Sequence, residues 1–391
     1  MAGPLSDVTI LDLTSVISGP LATGILADQG ARVIKVETIA GDTMRMGGAV
    51  KAGVSSLFSA MNRNKESIVV NLQDPKGVAL IHKLAAKADV CIQNYRPGVV
   101  EKLGVGFEDL RKTNPALIYA SISGMGANGP YAGRRVYDPV IQAYAGFSAS
   151  QQDNGAPGMV KMMICDKVTS LTMAQAITAA LYQRKESGKG QLVEVSMLEA
   201  CLYFIWPDRI SDQSFLGEPD RPGGDITALY RAHATTDGHI TIMTLQLGEF
   251  QGLCRAIDRQ DLAADERFSD LMSMHMNIGS VFGELIEGIG RFSTAEIVER
   301  LTKEDVPFGV VLDGDGIVND AQVISQDILK TFEHGDAGMM RLVNRNSRFS
   351  DSETGIRSPA PGLGEHTGAV LSELGCTVEE IEDLKQQGVV R

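Results

Sequence analysis

The stretch VTILDLTSVISGPLATGILADQGARVIKVE, residues 8–37, decides the fold class of this chain. Val8–Leu13 is a short, apolar and β-branched run, which predicts a buried strand. Leu21–Asp28 is typical of a helix that ends at Gly30, and Arg32–Val36 predicts a second strand. A strand, a helix and a strand at this spacing form a crossover unit, so the two strands are expected to be parallel.

The same alternation of strands and helices continues through the first half of the chain. Further strands are predicted at Ile68–Leu72, Val90–Gln93, Leu117–Ser123 and Gln191–Ser196. Helices are predicted at Gly77–Ala88, Glu108–Lys112, Pro139–Ala145, Val168–Tyr182 and Leu198–Pro207, the last with Trp206 as a core residue. The pattern is typical of an α/β fold with a mostly parallel sheet.

A second, smaller domain is predicted after a linker. Residues 211–224 are rich in glycine, proline and aspartate, which is typical of a linker. Residues 225–325 are interpreted as a small α/β domain, and residues 326–391 lead back to the first region, 1–210. Within 225–391, strands are predicted at Ile240–Leu245 and Val306–Leu312, helices at Gly248–Ile257, Met276–Gly288, Thr294–Glu304 and Val378–Gln386, and irregular structure at Asp258–Met274.

The first crossover unit also raises a dinucleotide-binding hypothesis. Such a site needs the pattern GxGxxG after the first strand and an acid after the second. Glu37 supplies the acid, but the glycines of the preceding loop and helix are Gly19 and Gly24, and Pro20 follows Gly19. The glycine pattern does not fit, so Glu37 is interpreted as an ordinary strand-end or hydrogen-bonding carboxylate.

Composition excludes several classes of partner. The 391 residues carry a net charge of −13, which disfavours nucleic acid and anionic membrane surfaces. Aromatic residues make up only 5%, too few for stacking platforms along a single strand. An anionic small molecule would therefore need a local basic cluster.

Cysteine and histidine usage indicates no metal site. Cys91, Cys165, Cys201, Cys254 and Cys376 are scattered and never form CxxC, and the six histidines show no paired spacing. Reduced thiols in a cytoplasmic protein are expected. Neither a signal peptide nor an apolar run long enough for a membrane span is visible, so no membrane partner is expected.

One acid stands out in the stretch KMMICDKVTSLTMAQAITAALYQRK, residues 161–185. Asp166 follows an apolar run and precedes a long helix-like segment. A helix N-terminus stabilises a negative charge, so Asp166 is a candidate nucleophile. Aspartate is also among the best helix N-caps, so a purely structural role stays open at this point.

A glycine-rich loop with two arginines is a second candidate. Gly124–Gly133 holds four glycines in ten residues, and Arg134 and Arg135 follow it. Loops at the carboxyl edge of a parallel sheet carry ligands, and bare backbone can approach a phosphate closely. The alternative is a surface loop with solvated charges.

Ten short motifs in order make the chain resemble the family III CoA-transferases, whose relatives include 2-methylacyl-CoA racemases. The resemblance covers nearly the whole chain. The motifs are Gly19-Pro20, Val33–Glu37, Arg63-Asn64-Lys65, Asn94–Gly98, Leu117–Gly124, Gly129-Pro130-Tyr131, Tyr137-Asp138, Asp166, Lys189-Gly190-Gln191 and Gly364–Thr367.

The resemblance implies a Rossmann-like large domain formed by residues 1–210 and 326–391, and a homodimer of two interlocked rings. It places the family's nucleophile at Asp166, which would attack an acyl-CoA thioester and pass through an aspartyl anhydride and an aspartyl-CoA thioester. The turn after Asp166 is expected to supply N–H donors to the developing oxyanions. Acyl-CoA and a carboxylic acid would be the substrates, and no cofactor is expected because CoA itself is exchanged.

The resemblance also implies a set of CoA contacts, and the chain differs from some relatives at two positions. The contacts fall on Val70, Gln73, Asn94, Tyr95, Lys102 and Arg135, with Arg96 and Arg134 beside them. Ile17 and Thr38 stand where some relatives have a polar active-site residue and a basic CoA contact. Arg45 or Arg231 could bind the second carboxylate of a dicarboxylic acid.

Tyr137 separates the two main activities of the resembling proteins. Racemases carry a histidine there as a second base, whereas a tyrosine, with an ordinary pKa near ~10, is a poor base. CoA transfer is therefore expected over racemisation. The next residue, Asp138, could orient Tyr137 or, as we favour, cap the helix that begins at Pro139.

Overall fold

The computed structural model describes residues 2–153, 155–218, 220, 227 and 230–391. The chain divides into two compact units, Met1–Ser214 with Ser325–Arg391, and Phe215–Ile324. The sequence boundaries at 210 and 326 stand close to those of the first unit. Of the predicted linker, 211–224, residues 219 and 221–224 lie outside the described residues.

Strands and helices alternate along the chain. The strands are β1 (Thr9–Asp12), β2 (Arg32–Glu37), β3 (Val50–Lys51), β4 (Val54–Ser55), β5 (Lys65–Val69), β6 (Val90–Gln93), β7 (Ile118–Ser123), β8 (Gln152–Asp153), β9 (Ala156–Pro157), β10 (Leu192–Ser196), β11 (His233–Ala234), β12 (His239–Ile242), β13 (Phe308–Val310), β14 (Leu329–His334) and β15 (Gly338–Val343). The helices are α1 (Ser18–Asp28), α2 (Ser56–Asn62), α3 (Pro75–Ala85), α4 (Val99–Lys102), α5 (Phe107–Thr113), α6 (Asp138–Tyr144), α7 (Phe147–Ser150), α8 (Ile164–Ser187), α9 (Met197–Ile205), α10 (Leu247–Ala256), α11 (Gln260–Ala263), α12 (Leu271–Asn277), α13 (Phe282–Ile289), α14 (Thr294–Lys303), α15 (Gly314–Asn319), α16 (Ala321–Ser325), α17 (Thr367–Glu373) and α18 (Val378–Gln386).

The first unit is built on a six-stranded sheet in the order β10-β7-β6-β1-β2-β5. Each pairing in it is parallel. The α/β fold with a mostly parallel sheet is confirmed. Numbered along the chain, these strands lie in the order 3-2-1-4-5-6 of doubly wound sheets, whose ligands bind where the order reverses. Here the reversal lies between β1 and β6.

Both faces of this sheet are covered, because successive residues of each strand point to opposite sides. Ile10 and Val33 pack into one apolar layer with α1, α8 and α9. Leu11 and Ile34 pack into the other, with α3, α17 and α18. The near-continuous apolar run of β1 reflects burial on both faces.

Some predicted elements lie elsewhere in the structure. Gly19 and Pro20 are inside the first turn of α1, where proline is tolerated because the missing N–H has no partner there anyway. β5 begins at Lys65 rather than Ile68, since the Lys65 side chain finds a buried partner. Trp206 is 40% exposed and is not a core residue. Helix α17 and the β14–β15 hairpin were not predicted.

The open edge of the sheet, strand β5, is covered by a distant part of the chain. Val70, just after β5, forms an antiparallel bridge with Val390. The backbone N–H of Asn71 donates to the carbonyl of Val389 over 2.8 Å. Val389 and Val390 are both buried, so the edge is paired and apolar.

The second unit is a three-stranded antiparallel sheet in the order β11-β12-β13, packed against helices. Its core includes Phe250, Phe268 and Ile297. The helix predicted at Met276–Gly288 is broken, since α12 ends at Asn277 and α13 begins at Phe282. The segment predicted as irregular contains α11 and the start of α12.

Candidate active site

A cleft of about 410 Å³ lies at the carboxyl ends of β1, β6 and β7, where the strand order of the sheet reverses. Its walls come from the loop after β1, the turn after β6, the glycine-rich segment and the first turns of α8 and α9. The lining residues are Ser15, Val16, Ser18, Asn94, Tyr95, Arg96, Pro97, Ile122, Ser123, Gly124, Ala132, Arg134, Arg135, Val136, Tyr137, Asp166 and Met197. The cleft therefore collects residues from six of the ten ordered sequence motifs or their immediate neighbours.

Asp166 enters this cleft from inside a helix rather than from its cap. It is the third residue of α8, which begins at Ile164. Met163 occupies the N-cap position and makes no side-chain capping bond. The interpretation of Asp166 as the N-cap of its own helix is therefore wrong, and its half-buried carboxylate faces the cleft.

Asp138 caps the helix that carries Asp166. Its carboxylate accepts hydrogen bonds from the backbone N–H of Cys165 at 2.7 Å and of Asp166 at 3.1 Å. It also accepts from Nε2 of Gln142 at 2.6 Å. The prediction that Asp138 caps the helix beginning at Pro139 is wrong, because Tyr137 is the N-cap of α6 and the Asp138 carboxylate points to α8 instead.

This arrangement sets the charge of Asp166. Burial, together with the negative charge of Asp138, raises the pKa of Asp166 from 3.8 to about 6. Hydrogen bonds from the side chain and backbone N–H of Ser18 act in the opposite direction. Asp166 is thus mainly ionised at neutral pH, yet more basic than an ordinary aspartate, as suits a carboxylate nucleophile.

The rest of the cleft carries positive charge. Arg96, Arg134 and Arg135 line it, and Asp166 is the sole acid among the lining residues. The Arg134 guanidinium lies 3.8 Å from the centroid of the Tyr131 ring and donates to the Tyr144 hydroxyl. A chain that is acidic as a whole therefore holds a local basic cluster around one carboxylate.

Asn94 and Tyr95 position the turn after β6. The Asn94 side chain donates to the Ser15 carbonyl at 2.8 Å and accepts from the Ser15 backbone N–H at 3.0 Å. This pair of bonds ties the turn after β6 to the loop after β1. Tyr95 is half-buried, and burial raises the pKa of its phenol.

Three other predicted CoA contacts lie outside the cleft lining. Val70 is 1% exposed and packs in the core, so only its backbone is left for such a contact. Gln73 is exposed beyond the end of β5, and Lys102 is exposed at the end of α4. Tyr137 lines the cleft and is 70% exposed.

The loop after β1 is a part of the site that the sequence analysis missed. Val16 adopts φ of 70°, a left-handed conformation that is unusual for a β-branched residue. Its backbone N–H donates to Oδ1 of Asp42 at 3.3 Å. Nothing in the residue types of the loop signals this conformation, because a left-handed turn ordinarily calls for glycine or asparagine.

Beneath this loop lies a buried cluster of charges. Lys35 Nζ pairs with Asp42 Oδ2 at 2.9 Å, and Lys65 Nζ pairs with Asp12 Oδ2 at 3.1 Å. All four side chains are at most 1% exposed. Lys35 also donates to the Thr14 carbonyl at 2.9 Å, so the cluster holds the start of the β1–α1 loop.

Glu37 and Arg45 pair with each other beside this cluster. Arg45 Nη2 lies 2.6 Å from Glu37 Oε1, and Glu37 also accepts from the Asp42 backbone N–H at 3.0 Å. Arg45 does not line the cleft, so it is not placed to bind a second substrate carboxylate there. Arg231, the other arginine considered for that role, lies in the second unit with its guanidinium over Phe282.

Within the described residues, no group of three metal-ligating side chains comes together and no helix is long and apolar enough to cross a bilayer. The five cysteines are free thiols, four of them buried. The protein has a doubly wound α/β fold, and its cleft lies where the strand order reverses. One carboxylate lies there among three arginines. This arrangement is suited to binding an anionic ligand next to an acidic group.

Comparison with known proteins gives the family. The sequence model of CoA-transferase family III matches residues 5–367, and the chain belongs to that family. It is similar to human succinyl-CoA:glutarate CoA-transferase, with 33% identity over 99% of this chain and 90% of the relative. It is also similar to formyl-CoA:oxalate CoA-transferase of Streptomyces avermitilis, with 31% identity over 100% of both chains.

A solved structure agrees with this relationship. A CaiB/BaiF family protein from Brucella suis superposes with a TM-score of 0.84 and 29% identity, covering 96% of this chain and 100% of that one. The α/β fold with its mostly parallel sheet is shared with that protein. The chain is accordingly an enzyme of the CoA-transferase type.

Proposed function

We propose that the protein moves CoA from an acyl-CoA thioester to a free carboxylic acid, with Asp166 as the covalent nucleophile. The observation that carries the proposal is the placement of Asp166, half-buried at the switch-point cleft, with its pKa raised to about 6. Such a carboxylate is ionised at neutral pH and is more nucleophilic than an exposed one.

The reaction would proceed in four exchanges on one side chain. The Asp166 carboxylate attacks the thioester carbonyl and expels the CoA thiolate, leaving a mixed anhydride. The thiolate attacks the aspartyl carbonyl, releases the donor acid and leaves aspartyl-CoA. The acceptor carboxylate then attacks the carbonyl of aspartyl-CoA and expels the CoA thiolate, which leaves a second anhydride. The thiolate attacks the acceptor carbonyl of this anhydride, forms the acceptor's CoA thioester and releases the Asp166 carboxylate.

Charge in the cleft supports CoA as the exchanged group. CoA carries a pyrophosphate and a ribose phosphate, and Arg96, Arg134 and Arg135 lie around Asp166. Asn94 and Tyr95 lie beside Arg96 in the same turn, where Tyr95 offers an aromatic face for the adenine. Gln73 and Lys102 lie outside this lining, so their contacts are proposed for the distal part of CoA.

The acceptor acid is proposed from the relatives. Their names specify glutarate and oxalate as acceptors, both dicarboxylic acids. A panel of succinyl-CoA, formyl-CoA and acetyl-CoA against glutarate, oxalate and monocarboxylic acids, read by chromatography, identifies the pair that this enzyme exchanges.

Racemisation is not favoured by the site. A racemase needs a second base across from Asp166, and no histidine is among the cleft-lining residues. The corresponding side chain is Tyr137, which is largely exposed. Absence of α-proton exchange in deuterated water, with 2-methylacyl-CoA as substrate, is the expected result.

The test of the proposed function is to capture the adduct. Incubation with succinyl-CoA followed by hydroxylamine or borohydride is expected to modify the peptide that carries Asp166, as seen by mass spectrometry. Asp166→Ala is expected to lose the adduct and at least about 10⁴-fold in transfer rate, because the covalent route is removed.

The matched control is Glu186→Gln, an exposed acid on the same helix, which should leave adduct and rate unchanged. Transfer that persists in Asp166→Ala, or an unmodified Asp166 peptide during turnover of any donor in the panel, would overturn the assignment.

The active species is proposed to be a cytoplasmic homodimer, as the family resemblance implies. An exposed apolar patch formed by Tyr203, Phe204 and Trp206 supports an association surface. Sedimentation equilibrium should give a mass near twice the 41.9 kDa of one chain. A monomeric mass at active concentrations would contradict the dimer, and localisation of a tagged chain would test the compartment.

A further inference from the structure

We propose that Ser18 is a catalytic hydrogen-bond donor to the aspartyl group of Asp166, an inference that rests on the proposed function. Ser18 is the first residue of α1 and lines the same cleft as Asp166. The Ser170 hydroxyl lies within hydrogen-bond distance of the backbone carbonyls of both Ser18 and Asp166, so the two residues are neighbours, and hydrogen bonding from the Ser18 hydroxyl and backbone N–H lowers the pKa of Asp166.

The usual source of such donors is already occupied. The turn after Asp166 was expected to stabilise the oxyanions, but it is part of α8, where the Lys167 N–H donates to the Met163 carbonyl. The N–H groups of Cys165 and Asp166, one step earlier, donate to Asp138. Ile17, the N-cap of α1, likewise makes no side-chain capping bond, so the backbone N–H of Ser18 is not taken up by a cap of its own helix. The donors therefore come from α1, a separate helix that meets α8 at the nucleophile.

Ser170 holds the two helices in register at this point. Its hydroxyl, which is fully buried, lies 2.8 Å from the Ser18 carbonyl and 2.7 Å from the Asp166 carbonyl. One side chain thus contacts the backbone of both the donor and the nucleophile. The buried charges beneath the β1–α1 loop hold the other end, through Thr14 and Val16.

The chemistry that needs this donor is attack on the aspartyl carbonyl. The CoA sulfur forms a bond to that carbon, and the carbonyl electron pair moves onto the oxygen that faces Ser18. Collapse of the oxyanion breaks the bond to the donor carboxylate, which leaves as a free anion. No proton is transferred, so Ser18 keeps its proton and acts by stabilising charge.

Ser18→Ala tests the role while leaving the nucleophile in place. After rapid mixing with succinyl-CoA and quenching, the anhydride on Asp166 is expected to form, but its conversion to aspartyl-CoA should slow by about 10²-fold, the usual loss for one oxyanion donor. The acid limb of kcat/KM should also move to higher pH, because a hydrogen bond that favours the ionised carboxylate is gone.

The matched control is Thr178→Ala, an exposed hydroxyl on α8 whose Oγ1 lies 2.9 Å from the Ala174 carbonyl, and it should change neither rate nor pH profile. Thermal unfolding checks that Ser18→Ala is folded. If Ser18→Ala forms aspartyl-CoA at the unsubstituted rate with an unshifted acid limb, Ser18 has no such role. If the unsubstituted enzyme forms no adduct at all, it is the proposed function that fails.

Discussion

Asp12 and Asp166 lie at the same end of the parallel sheet, but their surroundings give them opposite properties. Asp12 is fully buried, yet its pKa is lowered to about 2, because Lys65, Lys35 and two threonine hydroxyls outweigh the cost of burial. Asp166 is less buried, yet its pKa is raised to about 6, because the cost of burial is increased by the carboxylate of Asp138 and is not offset by a nearby cation. The charges and donors around each carboxyl group, rather than its degree of burial, therefore determine the direction of its pKa shift.

Asp12 thus has a structural role, whereas Asp166 has the proposed catalytic role. Thr14, Thr23 and Lys65 all donate to Asp12, so its charge is used to fix the loop above it. Asp166 faces a cleft that arginines also line, and the hydrogen bonds that lower the pKa of its carboxyl group come from Ser18. An acid with few donors can give its electron pairs to a substrate.

The largest expected effect on stability comes from removing the partner of Asp12. Lys65→Met leaves Asp12 buried without its partner and should lower the free energy of unfolding by about 3–5 kcal/mol in urea titrations. Lys112→Met removes an exposed partner of Asp109 at 3.8 Å and should cost less than about 0.5 kcal/mol. Equal losses in the two variants would show that the buried cluster does not hold the loop.

The pH dependence of kcat/KM tests the raised pKa of Asp166. Because Asp166 must be ionised to attack, kcat/KM should rise with pH through about 6 and reach a plateau above it. Asp138→Asn removes the like charge, so the midpoint should move down toward the ordinary value of 3.8. A midpoint that does not move would mean that burial alone sets the pKa of Asp166.

Stability should follow the opposite signs of the two shifts. The contribution of Asp12 is present above pH 3.8 and is lost as the pH falls through about 2. Asp166 has a raised folded-state pKa, so ionising it between 3.8 and about 6 lowers stability as the pH rises. Unfolding of Asp166→Asn across this range should lack that second slope.

The smallest expected effect concerns the loop between β1 and α1. Val16→Gly relieves the strain of the left-handed backbone conformation but increases the conformational entropy of the unfolded chain. These two effects oppose each other, so the free energy of unfolding should change by no more than about 1 kcal/mol. The transfer rate should fall, since Ser18 is less firmly placed. A rate equal to that of the unsubstituted enzyme would show that the buried cluster fixes the loop without help from Val16.

The sequence predicted what local pattern determines. Val90–Gln93 and Val378–Gln386 have the predicted bounds, because a short run of buried residues and an N-terminal capping box are both encoded in neighbouring residues. It could not predict the role of Asp138, whose partners lie 27 and 28 residues away on another helix. Nor could it predict the start of β5, which depends on Lys65 reaching Asp12 across 53 positions.

The candidate site divides in the same way. Asp166 and Arg96 were found because ordered motifs carry them, Arg135 was found because the resemblance implies a CoA contact there, and all three line the cleft. Ser18 and Val16 were missed because their significance depends on a backbone conformation and on a helix that folds against them from 150 residues later. Local chemistry identifies the reacting group, but tertiary contacts identify what positions it.

The bridge between Val70 and Val390 has a consequence for how the chain is made. About 320 residues separate the two partners, and the whole second unit lies between them. At a synthesis rate of roughly 5–20 residues per second, the edge of β5 that does not face β2 waits about 15–60 seconds for this bridge. During that time the nascent sheet exposes an unpaired edge, to which a strand of another chain can pair.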